Sequence, residues 1–96
     1  LNYGSLQIDT NNHRVVRDGV TVDLTVREYA ILEYLVRNRN IVVTREQIRA
    51  NIWSIDDDIN SNVVDVYIRY LRRKIDDPFE EKLIHTIRGV GYRLEC

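Results

Sequence analysis

Asn62-Val63-Val64-Asp65-Val66-Tyr67-Ile68-Arg69-Tyr70-Leu71-Arg72-Arg73-Lys74-Ile75 decides how this chain folds, because it carries two incompatible faces. On a helical wheel of about 100° per residue, Val64, Ile68, Leu71 and Ile75 share one narrow stripe, the spacing of a face buried on a core. The opposite side carries Asn62, Val66, Arg69, Tyr70 and Arg73, with Val63, Tyr67 and Lys74 on one shoulder and Arg72 on the other. The helix starts near Asn60 to Asn62, any of which can cap it, and covers about 61–75.

That outer face differs from an ordinary solvated one, which mixes both charge signs. Arg69, Arg72, Arg73 and Lys74, with only Asp65 nearby, surround two tyrosines and two valines. A DNA duplex suits each group: a major groove as wide as a helix, base edges and thymine methyls for Val and Tyr, phosphates for Arg and Lys. Asp65 then either accepts from a cytosine amino group or supports the helix N-terminus. A competing reading packs Tyr67 and Tyr70 on a neighbouring element and leaves the arginines solvated; periodicity does not separate the two.

Downstream, a turn around Asp76 to Phe79 holds the single proline, Pro78. Leu83 to Ile87 and Tyr92 to Leu94 then read as strands joined by Arg88-Gly89-Val90-Gly91, a hairpin wing over 83–94. Gly89 and Gly91 permit positive φ and close approach of backbone to a ligand, and they present Arg88 where a long cation enters a minor groove. A plainer account of the same residues is a glycine-rich turn with a solvated arginine.

Upstream, Thr25 with Glu28 and Thr44 with Gln47 are capping boxes. The first opens a helix through Tyr29, Ile31, Leu32, Leu35 and Val36 that ends at Asn38, the second a shorter one through Ile48, Ile52 and Trp53. Ile41 to Val43, β-branched, reads as a short strand between them. Leu1 to Asp9, Val15-Val16 and Val20 to Leu24, separated by Thr10-Asn11-Asn12 and the hairpin dipeptide Asp18-Gly19, make three or four antiparallel strands.

The chain's 96 residues suit one domain, 1–96, and 44% hydrophobic with 30% charged residues is ordinary for a globular fold. Its apolar runs fall well short of the roughly 20 residues of a membrane span, and no signal-peptide pattern appears. The single cysteine, Cys96, allows no internal disulfide and no cysteine-based zinc or redox site, so a reducing, cytoplasmic setting is expected. With no Met and a strand at the start, the chain is expected to be cut from a longer protein with a domain upstream.

A net charge of −1 argues against nucleic acid only on average. The acids Asp56, Asp57, Asp58, Asp76, Asp77, Glu80 and Glu81 flank the basic stretch without entering it, and the local field matters more than the total. Adjacent aspartates on a loop do not converge on one metal ion. His13 and His85 are isolated, and no nucleophile stands beside a base, so neither catalysis nor a cofactor is expected.

Leu24-Thr25-Val26-Arg27-Glu28-Tyr29, Thr44-Arg45-Glu46-Gln47-Ile48, Val64 through Lys74, and Thr86-Ile87-Arg88-Gly89-Val90-Gly91-Tyr92 together resemble, over essentially the whole chain, the effector domain of OmpR/PhoB-type response regulators. The resemblance implies an α+β winged helix-turn-helix fold: an N-terminal antiparallel sheet, three helices and a C-terminal hairpin wing joined by the Ile41 to Val43 strand. It implies sequence-specific binding of double-stranded DNA as the transcription-controlling output domain of a two-component system, with the third helix in the major groove and the wing at the minor groove.

By position, Val63, Asp65, Val66 and Tyr70 would face bases, and Asn62, Tyr67, Arg69 and Arg72 bases or phosphates. Arg73 and Lys74 extend the basic flank, Arg88 would be the minor-groove cation, and Trp53, Thr86 and Tyr92 would line the sugar-phosphate backbone. A receiver domain upstream, tandem half-sites about one helical turn apart and a domain monomeric off DNA are further implications. The loop 54–59 would meet RNA polymerase, although a solvated acidic loop explains it equally well. Tyr70 stands where the family often has a basic or polar residue and Tyr67 where it has histidine, so base preference does not carry over. A winged helix used for protein contacts and an enzyme are the competing classes.

Overall fold

A computed structural model describes residues 2–54, 56, 57 and 60–96. Four strands, β1 (Asn2–Tyr3), β2 (Leu6–Asp9), β3 (Arg14–Arg17) and β4 (Val20–Val22), form an antiparallel meander in chain order. Leu24 lies beyond it, and Leu1 is outside the described residues. Asp18 and Gly19 both take positive φ, 51° and 78°, which is what a two-residue hairpin turn requires, and Arg17 therefore faces Val20. Strand alternation buries Leu6, Ile8 and Val15 on one face.

Both capping boxes form. Thr25 Oγ1 accepts the Glu28 N–H and Glu28 Oε1 accepts the Thr25 N–H, at 3.2 and 2.9 Å, starting α1 (Val26–Arg37), which ends at Asn38 as expected. Thr44 and Gln47 repeat the exchange at 3.1 and 2.8 Å and start α2 (Arg45–Ile52). The strand before it, β5, is Val43–Thr44, beginning two residues later and ending one later than the β-branched run suggests, because Thr44 both pairs with Gly91 and caps α2. The third helix, α3 (Val63–Ile75), follows Asn62, whose side chain makes no cap bond; the caps that the sequence offers are not used.

The hairpin strands β6 (Ile84–Ile87) and β7 (Gly91–Leu94) join β5 in the order β5-β7-β6. Gly89 takes φ 77° in a turn closed by the Val90 N–H on the Ile87 carbonyl at 2.9 Å. Gly91 acts differently from the expectation: it lies inside β7, and a Cβ there would stand 2.0 Å from the Val43 carbonyl oxygen. Its missing side chain serves the approach of β5, not of a ligand.

The core lies between the two sheets. Tyr29, Ile31, Leu32, Leu35 and Val36 of α1, Ile48 of α2 and Val64, Ile68, Leu71 and Ile75 of α3 meet Leu6, Ile8 and Val15 from one sheet and Tyr92 and Leu94 from the other. Arg17, fully buried, spans the junction: it donates to Ser5 Oγ at 2.8 Å, to the Glu81 carbonyl at 2.5 Å and to the Ile75 carbonyl, and lies 3.5 Å from Asp76. Asp76 in turn accepts the Leu83 and Ile84 N–H groups at 3.0 Å each. This chain of bonds fixes the end of α3 and the root of the hairpin on the first sheet.

Candidate nucleic-acid interface

With the Val64, Ile68, Leu71 and Ile75 stripe buried, the opposite side of α3 projects Asn62, Arg69, Tyr70 and Arg73, all exposed, around a half-buried Val66. Among the described residues the side chains of Arg69 and Arg73 make no hydrogen bond or ion pair, although the Arg69 charge is felt by Asp65. Arg73 sits in the last turn, where its charge also favours the helix C-terminus. The two shoulders of the helix are held by the rest of the molecule.

On the wing side, Asp65 Oδ1 accepts Arg45 Nε at 2.8 Å and the Tyr92 hydroxyl. Burial alone would raise the Asp65 pKa, but the bonds from Tyr92 and Arg45 outweigh it and hold the carboxyl below its usual range. Burial and the neighbouring Asp65 push the Tyr92 phenol up, and the bond to Asp65 raises Arg45 despite desolvation. Both arginines flank the Tyr92 ring, Arg45 at 5.1 Å and Arg72 at 5.5 Å. Arg72 donates to the Ile84 carbonyl at 3.1 Å and to Thr86 Oγ1 at 2.7 Å, tying α3 to the hairpin. Asp65, expected to read cytosine or support the helix start, thus has one of its two carboxylate oxygens, Oδ1, engaged from within.

On the other shoulder, Tyr67 is half-buried against the core and meets Trp53 edge to face at 5.4 Å, with Tyr70 at 5.5 Å from Tyr67. Arg27 covers the Trp53 ring at 5.1 Å. Val63 is likewise half-buried. Lys74, expected on this shoulder, turns back to Glu28 Oε1 at 2.6 Å. The carboxylate of Glu28 is buried, so an ammonium beside it is held more firmly than in solvent.

The site residues therefore separate into two groups. Asn62, Val66, Arg69, Tyr70, Arg73 and, on the hairpin, Thr86 and Arg88 present surface, whereas Trp53 and Tyr92 are 8% and 4% exposed and give little more than an edge. Val63, Asp65, Tyr67, Arg72 and Lys74 are half-buried and packed or bonded toward the rest of the molecule. Arg88 and Val90 are exposed at the hairpin tip. In the loop 54–59, Ile55, Asp58 and Ile59 lie outside the described residues; Asp57 accepts the Ser54 N–H at 2.7 Å and comes within 3.9 Å of Arg27.

Sequence reasoning assigned no role to Arg45 or Arg27, and their sequence positions do carry a signal. Each lies in the first turn of its helix beside a capping box, where a long side chain reaches the neighbouring element. Among the described residues no helix is long and apolar enough to cross a membrane, and no group of three or more His, Cys, Asp or Glu could hold a metal ion.

Residues 19–94 match the family described as "Transcriptional regulatory protein, C terminal". The response regulator ArlR of Staphylococcus saprophyticus is 51% identical over 85 residues, 88% of this chain and 39% of its own length. Among solved structures, the response regulator DrrB, a Thermotoga maritima OmpR/PhoB homolog, superimposes with a TM-score of 0.87 at 36% identity over 100% of this chain and 44% of that one. The Klebsiella pneumoniae RstA DNA-binding domain, solved in complex with the RstA box, gives 0.86 at 30% identity over 99% and 95% of the two chains. The chain spans about two-fifths of the length of the curated relatives it matches.

Proposed function

The chain belongs to the family of transcriptional regulatory protein C-terminal domains and is a DNA-binding output domain of the OmpR/PhoB response-regulator type; from that premise we propose how it reads DNA. α3 enters the major groove with Asn62, Val66, Arg69, Tyr70 and Arg73 toward bases and phosphates. The hairpin lies along the adjacent backbone, with Arg88 at the minor groove. Thr86 and the exposed edges of Trp53 and Tyr92 border the sugar-phosphate chain.

The observation that carries this reading is the clearance of the outer face of α3: both shoulders are bonded inward, and Arg69 and Arg73, whose side chains make no hydrogen bond or ion pair among the described residues, project beside an exposed tyrosine. The same face used against a protein partner would show only weak dependence on salt. About five phosphate contacts predict a slope of log K against log salt near −4 to −5. Arg69→Ala and Arg88→Ala should each weaken binding to every sequence and flatten that slope by about one unit. A salt titration with duplexes selected from a random pool reads both quantities; a flat titration would return the face to protein contacts.

For the whole protein the proposal extends further. A receiver domain precedes this domain, two copies occupy adjacent half-sites in the cytoplasm, and the isolated domain is monomeric off DNA. The loop 54–59 is the surface offered to RNA polymerase, supported by its exposed Ser54, Asp56 and Asp57.

A further inference from the structure

We infer that Tyr70 is the specificity-determining contact of α3 and that it selects thymine through the 5-methyl group, its ring being held for that purpose by Tyr67 and Trp53. The inference rests on the DNA-binding reading above and adds a base to it. Tyr70 is 41% exposed, the most exposed large hydrophobic residue of α3. A lone surface tyrosine exchanges rotamers on the picosecond to nanosecond scale and recognises nothing in particular.

This one is not alone. Its ring meets Tyr67 edge to face at 5.5 Å and 72°, and Tyr67 meets Trp53 at 5.4 Å and 69°. Trp53 is buried, capped by Arg27, whose Nη1 also donates to the Ile52 carbonyl at 3.4 Å. The relay runs from the interior to the outer edge of the helix, and each step restricts the next ring.

A fixed apolar ring in the major groove meets four base pairs that differ in donors and acceptors, and only one apolar group, the thymine methyl. Against guanine or cytosine the ring would desolvate several polar atoms while its single hydroxyl replaces at most one of their bonds, which disfavours those pairs. Against thymine it covers the methyl. A basic side chain at this position would prefer guanine, so the tyrosine changes the base that is read, with Arg69 and Arg73 left for phosphates.

Duplexes selected from a random pool by this chain supply the test. Each thymidine of the selected site is replaced singly by deoxyuridine, which removes only the methyl, and affinities are measured for the unaltered chain and for Tyr70→Ala, Tyr67→Phe and Tyr67→Leu. One position should lose about fourfold, the value of one buried methyl, and Tyr70→Ala should be indifferent there. Tyr67→Phe should keep the effect and Tyr67→Leu lose most of it. Far-ultraviolet circular dichroism reports whether Tyr67→Leu stays folded, since emission from Trp53 would respond to the lost Tyr67 contact itself; if the variant does not, the Tyr67→Phe and Tyr70→Ala pair decides. Selection of a site indifferent to every deoxyuridine, or an unchanged sensitivity in Tyr70→Ala, overturns the thymine contact alone. Failure to enrich any duplex overturns the DNA-binding reading and this inference with it.

Discussion

Asp65 shows how far a side chain's role can differ from its charge. An acid on the DNA side of α3 repels phosphate, and by field alone Asp65→Ala should strengthen binding. The bonds from Arg45 and Tyr92 to its Oδ1 predict the reverse, since both partners lose their anchor. We expect Asp65→Ala to weaken DNA binding about tenfold, the size of one charge-assisted bond, and tighter binding in an anisotropy titration would refute the anchoring role. Glu28 and Lys74 give the second residue-level case. Burial would raise the Glu28 pKa, but bonds from Lys74 and from Thr25 prevail and lower it. A carboxyl depressed in the folded state contributes stability that is present above its unfolded pKa, about 4.3, and is lost as pH falls through the folded value. Lys74→Ala should cost about 1–3 kcal/mol at pH 7 and shrink that acid loss in urea unfolding followed against pH; an unchanged pH profile would mean the pair contributes nothing. The wheel places Lys74 beside Tyr67 on the outer shoulder and says nothing of an acid 46 residues away in sequence, so this partnership was not legible.

Among the elements, the two capping boxes were legible because each is complete within four residues, and the Asp18-Gly19 turn because its backbone demands are local. The start of α3 was less so: three cap-forming residues precede it, and the one that serves, Asn62, makes no side-chain bond. Gly91 was misread for a related reason. Glycine in a sequence signals that a side chain is unwelcome without saying what takes its place, and here it is the backbone of β5. The two hairpin glycines should therefore respond differently to alanine. Gly89→Ala adds a Cβ at φ 77° in open space and should cost about 1–2 kcal/mol of left-handed strain. Gly91→Ala drives a Cβ into the Val43 carbonyl and should cost about 3 kcal/mol, the upper end for overpacking, by parting β5 from β7. Chemical denaturation of the two variants compares them directly, and equal losses would show that the three-stranded sheet yields without cost.

Across the whole molecule, the first sheet has no residue in the proposed DNA contact, yet Arg17 of β3 determines where the reading elements stand. Strand alternation held the clue, since Arg17 lies two residues beyond Val15 and must share its inward face. What could not be read was the destination: a guanidinium that meets Ser5, the Ile75 and Glu81 carbonyls, the Phe79 ring at 4.8 Å and Asp76, partners up to 64 residues from Arg17 in sequence. Removing one partner of a buried pair leaves an uncompensated charge and typically costs about 3–5 kcal/mol, a large part of the about 5–15 kcal/mol that holds a domain folded. Asp76 would then keep its bonds from Leu83 and Ile84 while losing its counter-charge. Arg17→Met should lower the unfolding free energy measured in urea by that amount, and Arg17→Lys should recover little, because one ammonium cannot span the sites that a planar fork reaches together. Where Arg17→Met remains folded at low temperature, its DNA affinity should also fall, although no atom of Arg17 approaches the binding face. An unfolding free energy within about 0.5 kcal/mol of the unaltered chain, the range of ordinary surface substitutions, would show that the sheet and the reading head are joined by their apolar contacts alone.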